Sequence, residues 1–95
     1  MLTIVARPTV DPDRLEEVKS ALVELVEATL KEEGCLRYEM HQDNEYPNRF
    51  VFMETWESRR LWRHHMAGAA VRSFNATVSG GIISFELQEL TKVAG

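Results

Sequence analysis

Apolar residues recur along this chain with two different periods, and each period predicts a different element. Leu2 to Arg7 is rich in β-branched and apolar residues and meets Pro8, which predicts a first strand stopping there. Asp11-Pro12 supplies an N-cap acceptor followed by a proline at the first helical position, where its missing N–H costs nothing. Leu15, Val18, Leu22, Leu25, Val26 and Thr29 then recur at three- and four-residue spacings, with Glu16, Glu17, Glu24, Glu27 and Lys31 on the other face. A helix is expected there, ending with Gly34 as its C′ residue. Cys35 to Gln42 alternates as a second strand, with Leu36, Tyr38, Met40 and Gln42 on one face and Cys35, Arg37, Glu39 and His41 on the other. The turn formers of Asp43 to Arg49 link it as a hairpin to Phe50–Trp56. Ser58 can cap a second helical region, with Leu61, His65 and Met66 inward and Val71, Phe74 and Val78 following a break at Gly68. Gly80-Gly81 releases the chain into a last strand, Ile82 to Leu90, where Ile83, Phe85 and Leu87 alternate with Ser84, Glu86 and Gln88.

The order β-α-β-β-α-β predicts an α+β fold of the ferredoxin-like type, a four-stranded antiparallel sheet with both helices on one face. Phe50, Phe52 and Trp56 fall on one side of the third strand, and Val51 and Met53 on the other. An antiparallel sheet usually keeps one face polar unless something covers it. Two helices cannot cover both sides, so the second face is expected to meet the same face of another copy in a twofold homodimer.

A chain of 95 residues holds one hydrophobic core, so residues 1–95 are read as a single domain. Its 44% hydrophobic and 27% charged residues are those of a globular chain rather than a disordered one. The net charge of −4 carries no basic stripe, which argues against a nucleic-acid partner. The apolar run from Met1 to Ala6 is followed at once by Arg7 and Pro8, so neither a signal peptide nor a membrane span is expected. A lone Cys35 excludes an internal disulfide and fits a reducing, cytoplasmic setting.

Lys31-Glu32-Glu33-Gly34-Cys35-Leu36-Arg37-Tyr38, then Asp43, then Phe52-Met53-Glu54-Thr55-Trp56-Glu57-Ser58, resembles the signature of antibiotic biosynthesis monooxygenase domains. In that family a Glu-x-Gly-Cys-x-x-Tyr entry to the second strand precedes a Glu-x-Trp strand end. A helix then carries an inward histidine nine residues after the tryptophan, here His65. The resemblance spans nearly the whole chain. It implies a dimeric α+β barrel in which each subunit holds a pocket between helices and sheet, and a family that includes quinol monooxygenases, polyketide-tailoring oxygenases, haem-degrading enzymes and isomerases. The departures narrow this range. Many members carry Pro-His-Phe where this chain has Ala69-Ala70-Val71, so a mechanism needing a histidine pair is not expected. The haem-degrading branch has its iron ligand near the position of Asn75 and a tryptophan near that of His65, and this chain has neither. Ser58 and Trp62 match, with serine for asparagine, an Asn-x-x-x-Trp pair of the polyketide-tailoring members.

Among the histidines, His65 shares the inward side of its helix with Leu61, whereas His64 falls outward with Arg60. An imidazole titrating near pH 6.5, at about neutrality, can take a phenolic proton, or it can simply be a core histidine bonded to a carboxylate or carbonyl. Glu54 shares a strand face with Phe52 and Trp56, so a buried carboxylate in need of a partner is expected, with Arg37 or His65 available. As catalytic residues His65 and Glu54 are therefore singled out. Trp62, Tyr38, Phe52, Trp56 and Phe74 are the candidates to line a flat pocket for an aromatic substrate, though such spacings also suit plain core. No metal-ligating spacing, glycine-rich phosphate loop or dinucleotide fingerprint is present, and Gly80-Gly81 is only a turn. The activity that the resemblance implies is that of a monooxygenase, and with no such motif it is expected to work without cofactor on a hydroquinone or polyphenolic ring with dioxygen. An isomerase or proton-transfer enzyme of the same fold, or a non-catalytic dimer binding a small ligand, are the alternatives.

Overall fold

The computed structural model describes residues 1–95 and shows strands β1 (Leu2–Val10), β2 (Cys35–Gln42), β3 (Phe50–Trp56) and β4 (Ile82–Leu90). Helices α1 (Leu15–Thr29), α2 (Arg59–Met66) and α3 (Ala69–Thr77) complete it. The strands form one antiparallel sheet in the order β2-β3-β1-β4, the ferredoxin-like arrangement. No helix is long and apolar enough to cross a membrane.

Several local features differ from the periodic reading, each for a physical reason. β1 does not stop at Pro8 but continues to Val10. Its ladder with β3 ends at Ala6, apart from one bridge between Thr9 and Arg49, and the strand runs on beside β4. A strand that has lost one neighbour tolerates a residue without an N–H. Asp11 caps as predicted, accepting from Asp13 N at 2.9 Å, but the first turn, Pro12–Arg14, is a 3-10 turn and α1 begins at Leu15. α1 ends at Thr29, five residues before Gly34, whose φ of +82° serves the turn into β2 instead of the helix end. Gly68 does break the second helical region, and the Ser58 hydroxyl accepts from Leu61 N.

Two bulges invert the faces expected from strict alternation. At the start of β2 the register shifts so that Cys35 pairs with Trp56 and Arg37 with Thr55, and Leu36 is 54% exposed. Cys35, not Leu36, therefore joins Tyr38 and Met40 on the helix side. In β4 the shift lies opposite Thr9 and Val10; Ile82 pairs with Val10, and Ile83 is left exposed.

The core lies between the helices and one face of the sheet. Val18, Leu22, Leu25 and Thr29 of α1 cover Ile4, Phe50, Phe52 and Trp56, all buried. The other face, carrying Val5, Val51 and Met53 among Arg37, Glu39 and His41, has no helix of this chain over it. β4 is covered least on either side; Phe85 on its helix side and Leu90 are exposed.

Candidate functional site

A cavity of about 340 Å³ lies between the helices and the sheet. Its floor is built by the inward residues of the strands: Ala6 and Pro8 of β1, Tyr38 of β2, Phe52 and Glu54 of β3, and Phe85 and Leu87 of β4. The small side chain of Ala6, between Phe52 and Leu87, leaves room beside the buried Ile4, and Pro8 carries the floor on toward Phe85. Leu22 and Leu25 of α1 and Val71 and Phe74 of α3 form the roof. His65 closes the inner end, and the exposed side chains of Met66, Asn75 and Phe85 mark the mouth.

His65 is 3% exposed and held on three sides. Its ring stacks on Trp56 at 4.8 Å with an angle of 32°, meets the Tyr38 ring edge-on at 5.5 Å, and bonds through Nδ1 to Glu32 Oε1 at 2.6 Å. The partner is a surprise of the fold. Glu32 sits in the turn after α1, 33 positions away, and in the sequence it stands only as part of the strand-entry motif.

Glu54 is 5% exposed, flanked in the sheet by Ile4 and Tyr38. Neither Arg37 nor His65 partners it. Arg37 lies on the opposite face, where its guanidinium makes two bonds to Glu39, and Glu54 Oε1 instead accepts from Trp56 Nε1 at 2.9 Å. Burial pushes the Glu54 carboxyl up to about 7, against the lowering effect of the indole N–H. Burial, followed by the charge of Glu54, also pushes the Tyr38 phenol well above its ordinary value. Tyr38 consequently stays protonated near neutrality and is a hydrogen-bond donor rather than a base.

Of the residues singled out by sequence, Tyr38, Phe52, Glu54, His65 and Phe74 line the cavity. Trp56 lies behind it, where it touches both His65 and Glu54. Trp62 is buried in the core, 8% exposed, with its indole N–H lacking an acceptor, and does not reach the cavity wall. Ala6, Leu25 and Asn75 were missed as lining residues. Nothing in their spacing separates them from ordinary core or surface positions. A larger but shallow depression of about 690 Å³ between α1 and β2 has only one buried ionisable side chain, Tyr38, whereas the inner cavity has Tyr38, Glu54 and His65. No three His, Cys, Asp or Glu side chains converge to hold a metal ion.

Solved structures that this chain is similar to have the same architecture. An antibiotic biosynthesis monooxygenase of known crystal structure superposes with a TM-score of 0.92 at 26% identity, over 99% of this chain and all of the other. PA3566 from Pseudomonas aeruginosa matches with a TM-score of 0.91 at 26% identity, over 98% of this chain and 94% of that one. A conserved protein from Methanosarcina mazei Go1 matches at 0.87 and 26%, over 97% and 92%. The uncharacterized protein sll1783 of Synechocystis is 32% identical over 56 residues, 59% of this chain, which spans 38% of that protein's length. Residues 1–77, from β1 through α3 and so including every side chain around His65, match the profile of the family described as Antibiotic biosynthesis monooxygenase. With the fold and that match agreeing over most of its length, the chain belongs to the antibiotic biosynthesis monooxygenase family.

Proposed function

We propose that the protein is a cofactor-independent monooxygenase that oxidises a hydroquinone or polyphenolic ring with dioxygen. The observation that carries this reading is an apolar cavity of about 340 Å³ whose ionisable groups include a buried imidazole, His65, and a buried carboxyl, Glu54. Phe52 and Phe74 supply faces for an aromatic ring, and Tyr38 and Glu54 supply hydrogen bonds to its hydroxyls. Trp56 acts through the two groups it touches. His65 Nε2 removes a phenolic proton, and the phenolate, held away from water, passes one electron to dioxygen. Superoxide and the phenoxyl radical combine at a ring carbon, the proton on His65 goes to the distal oxygen, and the hydroperoxide loses water. A hydroquinone thus becomes a hydroxyquinone plus one water, a four-electron oxidation in which dioxygen gives one oxygen atom to the ring and the other to water. In this reading the working unit is a homodimer joined through the uncovered face of the sheet.

Dioxygen uptake by the metal-free protein, measured on hydroquinones and hydroxylated polycyclic phenols against autoxidation, tests the proposal. Uptake above autoxidation is expected, with kcat/KM falling roughly 10²–10⁴-fold in His65→Ala. Uptake equal to autoxidation across the panel overturns it. The same imidazole and carboxyl can instead move a proton within a carbonyl compound, and turnover undiminished under nitrogen would mark that isomerase chemistry.

A further inference from the structure

We infer that Glu32 is a positioning residue for His65, fixing the imidazole in the tautomer that carries its proton on Nδ1 and leaving Nε2 as the proton acceptor. The inference rests on the reading of His65 as the base and assigns the group that makes it one.

A carboxylate offers only lone pairs, so the 2.6 Å contact between Glu32 Oε1 and His65 Nδ1 requires the hydrogen on the ring nitrogen. An isolated neutral imidazole in water favours the other tautomer, with its proton on Nε2, and that form would present a donor to the substrate instead of a base. The tilted packing on Trp56 and the edge-on contact with Tyr38 set the plane of the ring, and the bond to Glu32 fixes which side of it carries Nδ1. Other ionisable groups packed near it, Glu54 from β3 and Tyr38 from β2, stand in the cavity wall, and Glu32 is the one that bonds to it.

Glu32 is itself well placed for this duty. It does not line the cavity, and its side chain is 26% exposed, so it touches the histidine without touching a ligand. Its backbone is tied on both sides, Glu32 N donating to Thr29 O at 2.9 Å and Cys35 N donating to Glu32 O at 3.2 Å. A carboxylate on a tied turn can hold a ring to the angular tolerance that proton transfer needs. When Nε2 takes the substrate's proton, the new positive charge forms inside an existing short contact with Glu32. The proton then returns from Nε2 to the peroxide oxygen while Nδ1 keeps its own hydrogen throughout. The logic is that of a carboxylate orienting a catalytic histidine, reached here through a turn rather than a strand.

The test is nitrogen NMR of histidine-labelled full chain without substrate, combined with dioxygen uptake, on wild type, Glu32→Ala, Glu32→Met and Glu32→Asp. Methionine keeps the length of the side chain while removing the acceptor, so it decides the matter if alanine does not fold. Wild type is expected to show His65 protonated on Nδ1, and Ala and Met to move it largely to Nε2, with Asp restoring part of the Nδ1 form. In uptake assays kcat should fall roughly tenfold or more in Ala and Met and recover in part in Asp, with KM within about twofold throughout. A folded Ala or Met variant in which His65 keeps its proton on Nδ1 overturns the positioning role whatever its activity. A wild-type protein that takes up no oxygen on any quinol overturns the base reading and with it this role. The substrate-free tautomer measurement tells the two failures apart.

Discussion

The Glu54 carboxyl and the Trp56 indole stand on the same face of β3, two residues apart, and share a buried hydrogen bond of 2.9 Å. That single donor is less than a buried carboxylate needs, and the pKa of about 7 records the shortfall. Since the folded value lies above the ordinary 4.5, the folded state binds the proton more tightly. Stability from this group is fully present below about pH 4.5 and is lost as pH rises through about 7. Glu54→Gln keeps the acceptor for Trp56 without the charge. Its stability relative to wild type should grow with pH across that window by up to about 3 kcal/mol. Urea unfolding of both proteins at pH 5 and pH 8 checks this, and an unchanged difference would remove burial as the cause.

Trp56→Phe deletes the N–H while keeping an aromatic ring behind His65. Glu54 then loses its one hydrogen bond, so its pKa should move further above 7, as read from the pH dependence of its carboxyl carbon resonance. A downward move would mean that the indole is not the group holding the carboxyl in its present range.

The cavity's shape gives opposite expectations for two apolar positions. Ala6→Leu extends a side chain from the floor into the empty space and should raise KM for any ring-sized substrate at least several-fold, with little loss of stability because the space is already there. Trp62→Phe should leave KM unchanged, because Trp62 is core and its indole N–H has no acceptor to lose. Steady-state kinetics with thermal melts of both variants separate pocket from core.

The contrast between these residues shows what the sequence could and could not reveal. Alternation and helical spacing located all four strands and both helical regions, because each element buries one face and repeats its own period. Strict alternation failed at Leu36 and Ile83, where one extra residue in a bulge flips every later side chain relative to those before it. His65 and Glu54 could be recognised as inward because a polar residue in an apolar row stands out. Their partners could not, since the Glu32 bond spans 33 positions and the choice of Trp56 over Arg37 depends on which sheet face each occupies. Aromatic character and the Ser58–Trp62 likeness to an Asn-x-x-x-Trp pair both point Trp62 toward the pocket, yet one turn of helix separates it from the cavity wall that His65 and Met66 reach.

Gly34→Ala should be costly for two separable reasons. The residue has φ of +82°, which costs a side-chain-bearing residue about 1–2 kcal/mol, and an added methyl group would run into Leu61 of α2. A melting temperature lower by roughly 5–10 °C follows for a domain of this size. Because Gly34 lies between Glu32 and the helix that carries His65, the Nδ1 proton signal of His65 should weaken in the same variant. A melt matching wild type would show that the turn can relax without cost.

The uncovered face of the sheet yields the last expectation. Val5 and Met53 are direct cross-strand partners there, Val51 sits two residues from Met53, and no helix of the chain covers them. Charged residues flank this apolar band, with Arg37, Glu39 and His41 bonded to one another along β2 and Arg7 beside Glu86 across β1 and β4. An apolar centre with a polar rim is the pattern of a surface that meets a partner, and twofold pairing lets one such band satisfy two copies. Sedimentation equilibrium should accordingly give twice the chain mass of 10.9 kDa for wild type. Met53→Lys should return it to the single-chain mass, because the seam would then have to bury two unpaired ammonium groups. A wild-type mass of 10.9 kDa would end the homodimer reading. A Met53→Lys protein that remains dimeric would place the seam elsewhere than on the Val5–Met53 band.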